Sequence, residues 1–278
     1  MVDRRNATST SAGILRPEQF ARYASLTRVA CDPALEPWVE NTWHLRWDLP
    51  AGTQFVSQTL PHPACTLSVE LGHPRAGLPD DRVVVTGVVT RRFDVTLARS
   101  GWVLGVKFRP GGLAALAGID VAGLTDRVVP AAGILPDAVV AGMRLLTDTD
   151  EPGAAAAKAD RALLGMGDDV RDRSYDVVLR LIDDMLGDRS IVRVSQLEER
   201  HGLSTRQIQR LFSRYVGTTP KWVLGRYRMH DVVTALDDGY DGSLADLAAA
   251  YGWYDQAHFA RDFTALVGVP PSSYRDRG

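Results

Sequence analysis

The sequence predicts an α+β protein in two parts. The first is an N-terminal β-rich domain with helices, built as an antiparallel sheet or small barrel. The second is a C-terminal all-α domain of two helix-turn-helix units joined by a long helix. Three observations carry this. Alternating apolar residues and β-branched runs dominate up to Phe108. Helical periodicity takes over beyond Arg109-Pro110-Gly111-Gly112, and no convincing strand follows Ala154. A short helix, a glycine turn and a serine-capped second helix then occur twice in succession.

In chain order, residues 1–13 read as a disordered start. They carry Arg4 and Arg5 but lack the apolar segment of about 7 to 15 residues that marks a secretory signal. Residues 14–150 form the β-rich domain. Within it, 14–48 mix short helical pieces with Trp43-His44-Leu45-Arg46-Trp47, whose odd positions line one face of a strand. Leu67, Val69 and Leu71 alternate with polar neighbours, and Val83 to Thr90, Arg92 to Ala98 and Trp102 to Phe108 are further strand runs. Leu113 to Ala117 and Pro136 to Leu146 have helical spacing. The acid-rich stretch Thr147 to Gly153 is the best break, residues 151–172 are expected as a helical linker, and 173–278 as the second domain. That domain opens with a helix whose apolar stripe is Val177, Val178, Leu181, Ile182 and Met185.

With 278 residues, 45% hydrophobic and 24% charged, the chain is a folded protein of about two domains, which excludes a disordered tail protein. No run approaches the roughly 18 to 20 apolar residues of a membrane span. A cytoplasmic address, with no membrane partner, is the expectation. Cys31 and Cys65 are too few for a disulfide framework and too far apart for a CxxC motif, so they read as reduced thiols. The net charge of -2 hides two opposed blocks. Residues 190–230 hold eight basic side chains against Glu198 and Glu199, a net of +6, whereas 231–278 sum to -5.

The basic block contains the first unit. Ser195 to His201 is a short helix ended by Gly202, and Ser204 caps a second helix, Thr205 to Tyr215. Ile208, Leu211 and Phe212 face the core, while Arg206, Gln209, Arg210, Ser213 and Arg214 are left on the outside. Arg can bond guanine N7 and O6 in bidentate fashion and Gln can pair with adenine, so this face suits a major groove. In the second unit Ser243 caps Leu244 to Tyr251, Gly252 turns, and Asp255 starts a helix with Phe259 and Phe263 inward. Gln256, Ala257, Ala260 and Arg261 face out. Pro220 to Leu236 joins the two, about 25 Å long at 1.5 Å per residue.

The run Leu203-Ser204-x-Arg206-x-Ile208-Gln209-Arg210-x-Phe212, then Gly217-x-x-Pro220, Arg228, Leu247-Ala248, Gly252-Trp253, Phe259, Arg261, Phe263, Gly268, Pro270-Pro271 and Tyr274-Arg275, resembles the DNA-binding domain of the AraC/XylS transcription regulators. The resemblance covers about 100 residues. It implies seven helices, double-stranded promoter or operator DNA as partner, and RNA polymerase as a second partner. It assigns base contacts to Arg206, Gln209 and Arg210 and to Gln256, Ala257, Ala260 and Arg261. Two departures matter. Glu198 stands where the family has a small residue, which tilts the first helix or pairs with an arginine. Two alanines occupy the second recognition helix, so the first unit is expected to supply most of the affinity. The sequence leaves activation and repression open.

Gly105-Val106-Lys107-Phe108-Arg109-Pro110-Gly111-Gly112, with Pro37-Trp38-Val39-Glu40, resembles an uncharacterised N-terminal domain of actinobacterial AraC-type regulators. Effector sensing, homodimer formation or both follow as expectations. Trp38, Trp43, Trp47 and Trp102 are candidate walls for a small-molecule effector and Arg109 a candidate anion contact, against core packing and a turn ion pair as the plainer readings. His44, His62, Cys65 and His73 lack the paired spacing of a zinc site, so neither a metal nor a cofactor is expected. The enzyme alternative is a DNA-repair fusion carrying this helix-turn-helix domain. A methyl-accepting repair domain needs a zinc-activated cysteine cluster that two isolated cysteines cannot supply. No GxSxG, Walker or Rossmann fingerprint is present either, so no enzyme is expected. In a further alternative the first domain only dimerises.

Overall fold

The computed structural model describes residues 13–72, 78–166 and 172–276. The expected disordered start therefore lies, but for Gly13, outside the described residues, as do His73 and the linker stretch 167–171.

Eight strands are described: β1 (Ala24–Val29), β2 (Val39–Asp48), β3 (Gln54–Thr59), β4 (Thr66–Gly72), β5 (Val83–Thr86), β6 (Phe93–Ala98), β7 (Ser100–Phe108) and β8 (Val128–Pro130). Six form an antiparallel sheet in the order β1-β2-β7-β4-β5-β8, and β3 pairs with β6 as a separate ribbon. Sequence periodicity found β4, β6 and β7 but overran β5, placed to Thr90. The chain leaves the sheet at Gly87 because it passes the backbone of Leu124 too closely for any side chain there. Strands β1, β3 and β8 lie outside the runs that periodicity predicts: β8 has only three residues, and β1 and β3 lack the apolar alternation of Phe93, Val95 and Leu97 in β6.

One face of the large sheet is dry. Leu67, Trp102, Leu104, Val106 and Phe108 point to it and pack against α2 (Gly112–Ala117), α3 (Asp137–Arg144) and α4 (Pro152–Leu164). An apolar face of a sheet must be covered, and these helices cover it. The helix expected as a linker is thus docked. Ala155, Ala156, Ala159 and Leu163 of α4 are buried, and the Asp160 carboxylate accepts the Asp32 amide at 2.9 Å.

Helices α5 (Arg173–Gly187), α6 (Val194–His201), α7 (Thr205–Leu211), α8 (Pro220–Asp237), α9 (Leu244–Ala250), α10 (Gln256–Val267) and α11 (Pro271–Arg275) complete the described residues, preceded at the start of the chain by α1 (Pro17–Ala21). These are the seven helices of the second domain. The apolar core divides in two along α8. Val223, Leu224 and Tyr227 join the core that runs from the sheet through α5 and α7, whereas Met229, Val232, Val233 and Leu236 join that of α9 and α10. Leu15 and Leu60 of the first domain enter this second core, so the domains share apolar surface as well as a chain.

Candidate nucleic-acid interface and effector cavity

The first unit is built as its residues dictate. Gly202 ends α6 at φ +65°, a left-handed turn that favours glycine. Ser204 and Gln207 then form a reciprocal cap on α7. Among the described residues Glu198 makes no ion pair with an arginine. Its carboxylate accepts the Thr205 amide and hydroxyl, fastening the first helix to the start of the second. Ile208 and Phe212 are fully buried. Arg206, Gln209, Arg210, Ser213 and Arg214 are exposed, and all but Arg214 share a shallow groove with Ser204 and Gln207. The expected helix to Tyr215 changes character at Phe212, where its last turn widens to a π-helix over Phe212–Val216. Carbonyls at a helix C-terminus have no partner within the helix, and the first domain takes two of them. The Val121 amide donates to Arg214 O at 3.0 Å, and Thr125 Oγ1 donates to Gly217 O at 2.6 Å.

In the second unit Asp255 caps α10 by accepting the His258 amide at 2.6 Å. Phe259 and Phe263 are buried, Gln256, Ala257 and Arg261 are exposed, and Ala260 is half-buried. The outer face also carries an acid. Asp262 accepts Trp253 Nε1 at 2.9 Å and lies 3.3 Å from His258 Nε2. Tyr254, 95% exposed just before the cap, is a surface aromatic that periodicity gives no reason to single out. The end of α10 is held from the first domain by Arg92, which donates to Val267 O at 3.0 Å while paired with Asp94 at 2.6 Å.

Between the ribbon and the other face of the six-stranded sheet lies a cavity of about 870 Å³. Register fixes its floor. Trp47 faces Gly101 and Trp43 faces Gly105 across β2 and β7, and a Cβ at either glycine would fall inside the opposing indole. Both indoles therefore lie flat on the sheet. Leu26, Phe20 and Leu97 add apolar wall. The polar end is the next row, Asn41 facing Lys107, with Arg28 beside Trp43 on β1. A register shift between Val39 and Asn41 leaves Glu40 as the extra residue, and its carboxylate meets Lys107 Nζ at 2.9 Å. Burial holds the Lys107 ammonium below its ordinary pKa, against the pull of Glu40. The Asn41 Oδ1 atom is buried without a hydrogen-bond partner.

Of the expected effector contacts, Trp43 and Trp47 line this cavity, whereas Trp38, Trp102 and Arg109 do not. Trp102 points to the helix-covered face, where its indole donates to His44. Trp38 packs in the same core, and Arg109 Nε donates to Glu36 O at 2.5 Å, a turn contact with a carbonyl instead of a carboxylate. Alternation of Leu26 and Arg28, and the four-residue spacing shared by Trp43/Trp47 and Gly101/Gly105, were the signals available for the missed lining. Cys31 and Cys65 are buried, and burial pushes the Cys65 thiol up to about 12, the opposite of an activated thiolate.

His62, at the inner end of the cavity, stacks on His230 of α8 with ring centroids 4.5 Å apart. Burial, then Lys107 of β7, His230 and Arg226 of α8 and Arg28 of β1, depress its pKa well below the ordinary value near 6.5. The unfolded chain therefore binds the extra proton between the folded value and about 6.5, so stability falls as pH drops through that window and is restored above it. Urea unfolding at pH 7.5 and 5.5 should show a larger loss for the natural chain than for His62→Phe; parallel losses would exclude His62 as a source.

Residues 197–277 match the family profile of a helix-turn-helix domain, and residues 27–130 that of a domain of unknown function, DUF6597. Over 101 residues the chain is 25% identical to the probable transcription factor PqrA of Proteus vulgaris, covering 36% of this chain and 82% of that protein. Over 101 residues it is 27% identical to the XylDLEGF operon transcriptional activator 3 of Pseudomonas putida, covering 36% of this chain and 30% of that one. Residues 197–277 carry an AraC-type helix-turn-helix domain, and both relatives are transcription regulators. Among solved structures, the chain is similar to ToxT of Vibrio cholerae O395, with TM-score 0.42 and 10% identity over 91% of this chain and 96% of that one. It is similar also to unsaturated-fatty-acid-bound ToxT of strain SCE256, with TM-score 0.39 and 12% identity over 83% and 93%. The helix-turn-helix match and the transcription-regulator relatives indicate a DNA-binding transcription regulator and not an enzyme. No helix among the described residues is long and apolar enough to cross a membrane.

Proposed function

We propose that this AraC-type regulator binds operator DNA through Arg206, Gln209, Arg210, Ser213 and Arg214 of the first recognition helix and Gln256, Ala257, Ala260 and Arg261 of the second. Its operator affinity is set by a small molecule held in the N-terminal cavity. The observation that carries this is the cavity itself. A hole of about 870 Å³ with a flat aromatic floor is far larger than packing defects in a domain core, and its inner wall touches the helix that joins the two DNA-reading units. A domain that served only to dimerise leaves that hole without a role. Its shape suits a molecule with an apolar, flat body and a polar group for Arg28, Asn41 and Lys107. The same reading assigns RNA polymerase and a second copy of the chain as further partners, in the cytoplasm.

Binding selection from random double-stranded DNA supplies the operator, and a salt titration on it tests the first helix. Each phosphate contact contributes about 0.9 to the slope of log affinity against log salt. Replacing Arg206, Arg210 and Arg214 with Gln should therefore flatten the slope by about two to three. A slope that stays as steep would show that the charge of residues 190–230 is not what grips DNA. Quenching of Trp43 and Trp47 emission by metabolite fractions tests the cavity.

A further inference from the structure

We propose that His62 carries the state of the cavity to α8, so that occupancy changes the mutual orientation of the two helix-turn-helix units. The inference rests on the effector reading above and names its route. His62 borders the cavity on one side and lies against His230 on the other, the two rings 28° from parallel. A Cβ at Gly13 would stand 2.5 Å from its Nε2 and 3.5 Å from His230 Cε1, so backbone already closes over the edges of both rings. A ligand seated against His62 therefore presses on a stack that is closed along one edge. The partner ring is fastened to the same loop, since His230 Nε2 lies 3.1 Å from Pro61 O.

The position of His230 on α8 gives the push its effect. Tyr227, just before it, belongs to the core shared with the first unit, while Met229, Val232 and Val233 belong to the core of the second. His230 thus sits where the helix passes from one packed body to the other. Leu60 of the same loop is fully buried in the second core, so movement of residues 60–62 reaches that core by two contacts. One turn before His230, Arg226 is 3% exposed and lies over the Trp222 ring at 5.4 Å, which leaves little slack on the first-unit side. Packed interfaces of this kind respond by switching arrangement more than by yielding.

The test uses the full chain, an operator fragment selected from random DNA, and 8-anilinonaphthalene-1-sulfonate, an apolar flat dye with one anion, as cavity probe. Energy transfer from Trp43 and Trp47 reports its seating. Saturating dye is expected to change operator affinity of the natural chain by about 5-fold or more. In His62→Ala the dye should still bind while the change in operator affinity disappears, and His62→Phe, which keeps a flat ring in the stack, should restore it. Should His62→Ala fail to fold, His230→Ala removes the stack from the other side and carries the same expectation. A natural chain that does not bind the dye overturns the effector reading, and this inference with it. A dye that binds without altering operator affinity, or alters it equally in the natural chain and the Ala variant, overturns the His62 route and leaves the cavity standing as a ligand site.

Discussion

Phe259→Ala is expected to destabilise the protein by about 3–5 kcal/mol, the range for emptying a buried aromatic site. Phe259 is fully buried at the centre of a chain of edge-to-face rings, 5.3 Å from Trp253 and 5.7 Å from Phe263. Phe263 continues to Tyr274 at 5.6 Å. Removing the middle ring takes one edge-to-face contact from each neighbour, and the backbone of α10 cannot collapse into the space because Asp255 and Arg92 hold its two ends. The same core contains Leu15 and Leu60, so the loss should be felt in the first domain as well. Urea unfolding followed by circular dichroism measures it, with Tyr254→Ala as the control. That side chain is 95% exposed five residues earlier, and its removal should stay within about 0.5 kcal/mol. Comparable losses for the two variants would mean that the second unit is not packed as described.

Arg210→Ala should weaken operator binding roughly 5- to 150-fold, the equivalent of one lost base contact of about 1 to 3 kcal/mol. Arg261→Ala should cost much less. Arg210 stands exposed in a groove with Arg206, Gln207 and Gln209, in a block of net charge +6. Arg261 shares its surface with Ala257, with the Asp262 carboxylate next to it, and with a block of net charge -5. A phosphate approaching α10 meets that acid as well as the arginine, so the second helix is left to read through methyl contact and shape. Equal losses in a gel-shift titration would remove the asymmetry between the units.

The recognition surfaces were legible in the sequence because capping and turn chemistry are local. Gly202, Ser204, Gly252 and Asp255 announce their helices within a few residues, and burial of Ile208, Phe212, Phe259 and Phe263 follows from spacing alone. The cavity was half legible. Trp43 and Trp47 were found on one face of β2, but Trp38 and Trp102 could not be told from them, since aromatic composition is the same on either side of a sheet. What separates them is which strand lies opposite, and Gly101 and Gly105 become meaningful only once β2 is registered against β7. Arg92, Val121, His62 and Leu60 were invisible as domain contacts for a similar reason. Their partners Val267, Arg214, His230 and the α10 core lie tens of residues away or more, and three of these four bonds or stacks involve backbone or ring faces that leave no pattern in sequence. The widened turn at Phe212–Val216, bordered by contacts from Val121 and Thr125 more than ninety residues earlier, likewise leaves no local pattern.

Those grips on Arg214, Gly217 and Val267 bear on how a weak second reader remains useful. Fastened to one frame by α8 and by the first domain, the second helix needs no separate encounter with DNA. Once the first has found its site, the second is presented to one fixed stretch of groove at an effective concentration set by geometry. Little intrinsic affinity is then enough to count, and what it adds is a ruler. Sites whose two halves fall on the same side of the duplex are favoured over sites half a turn out of phase, whichever bases the alanines touch.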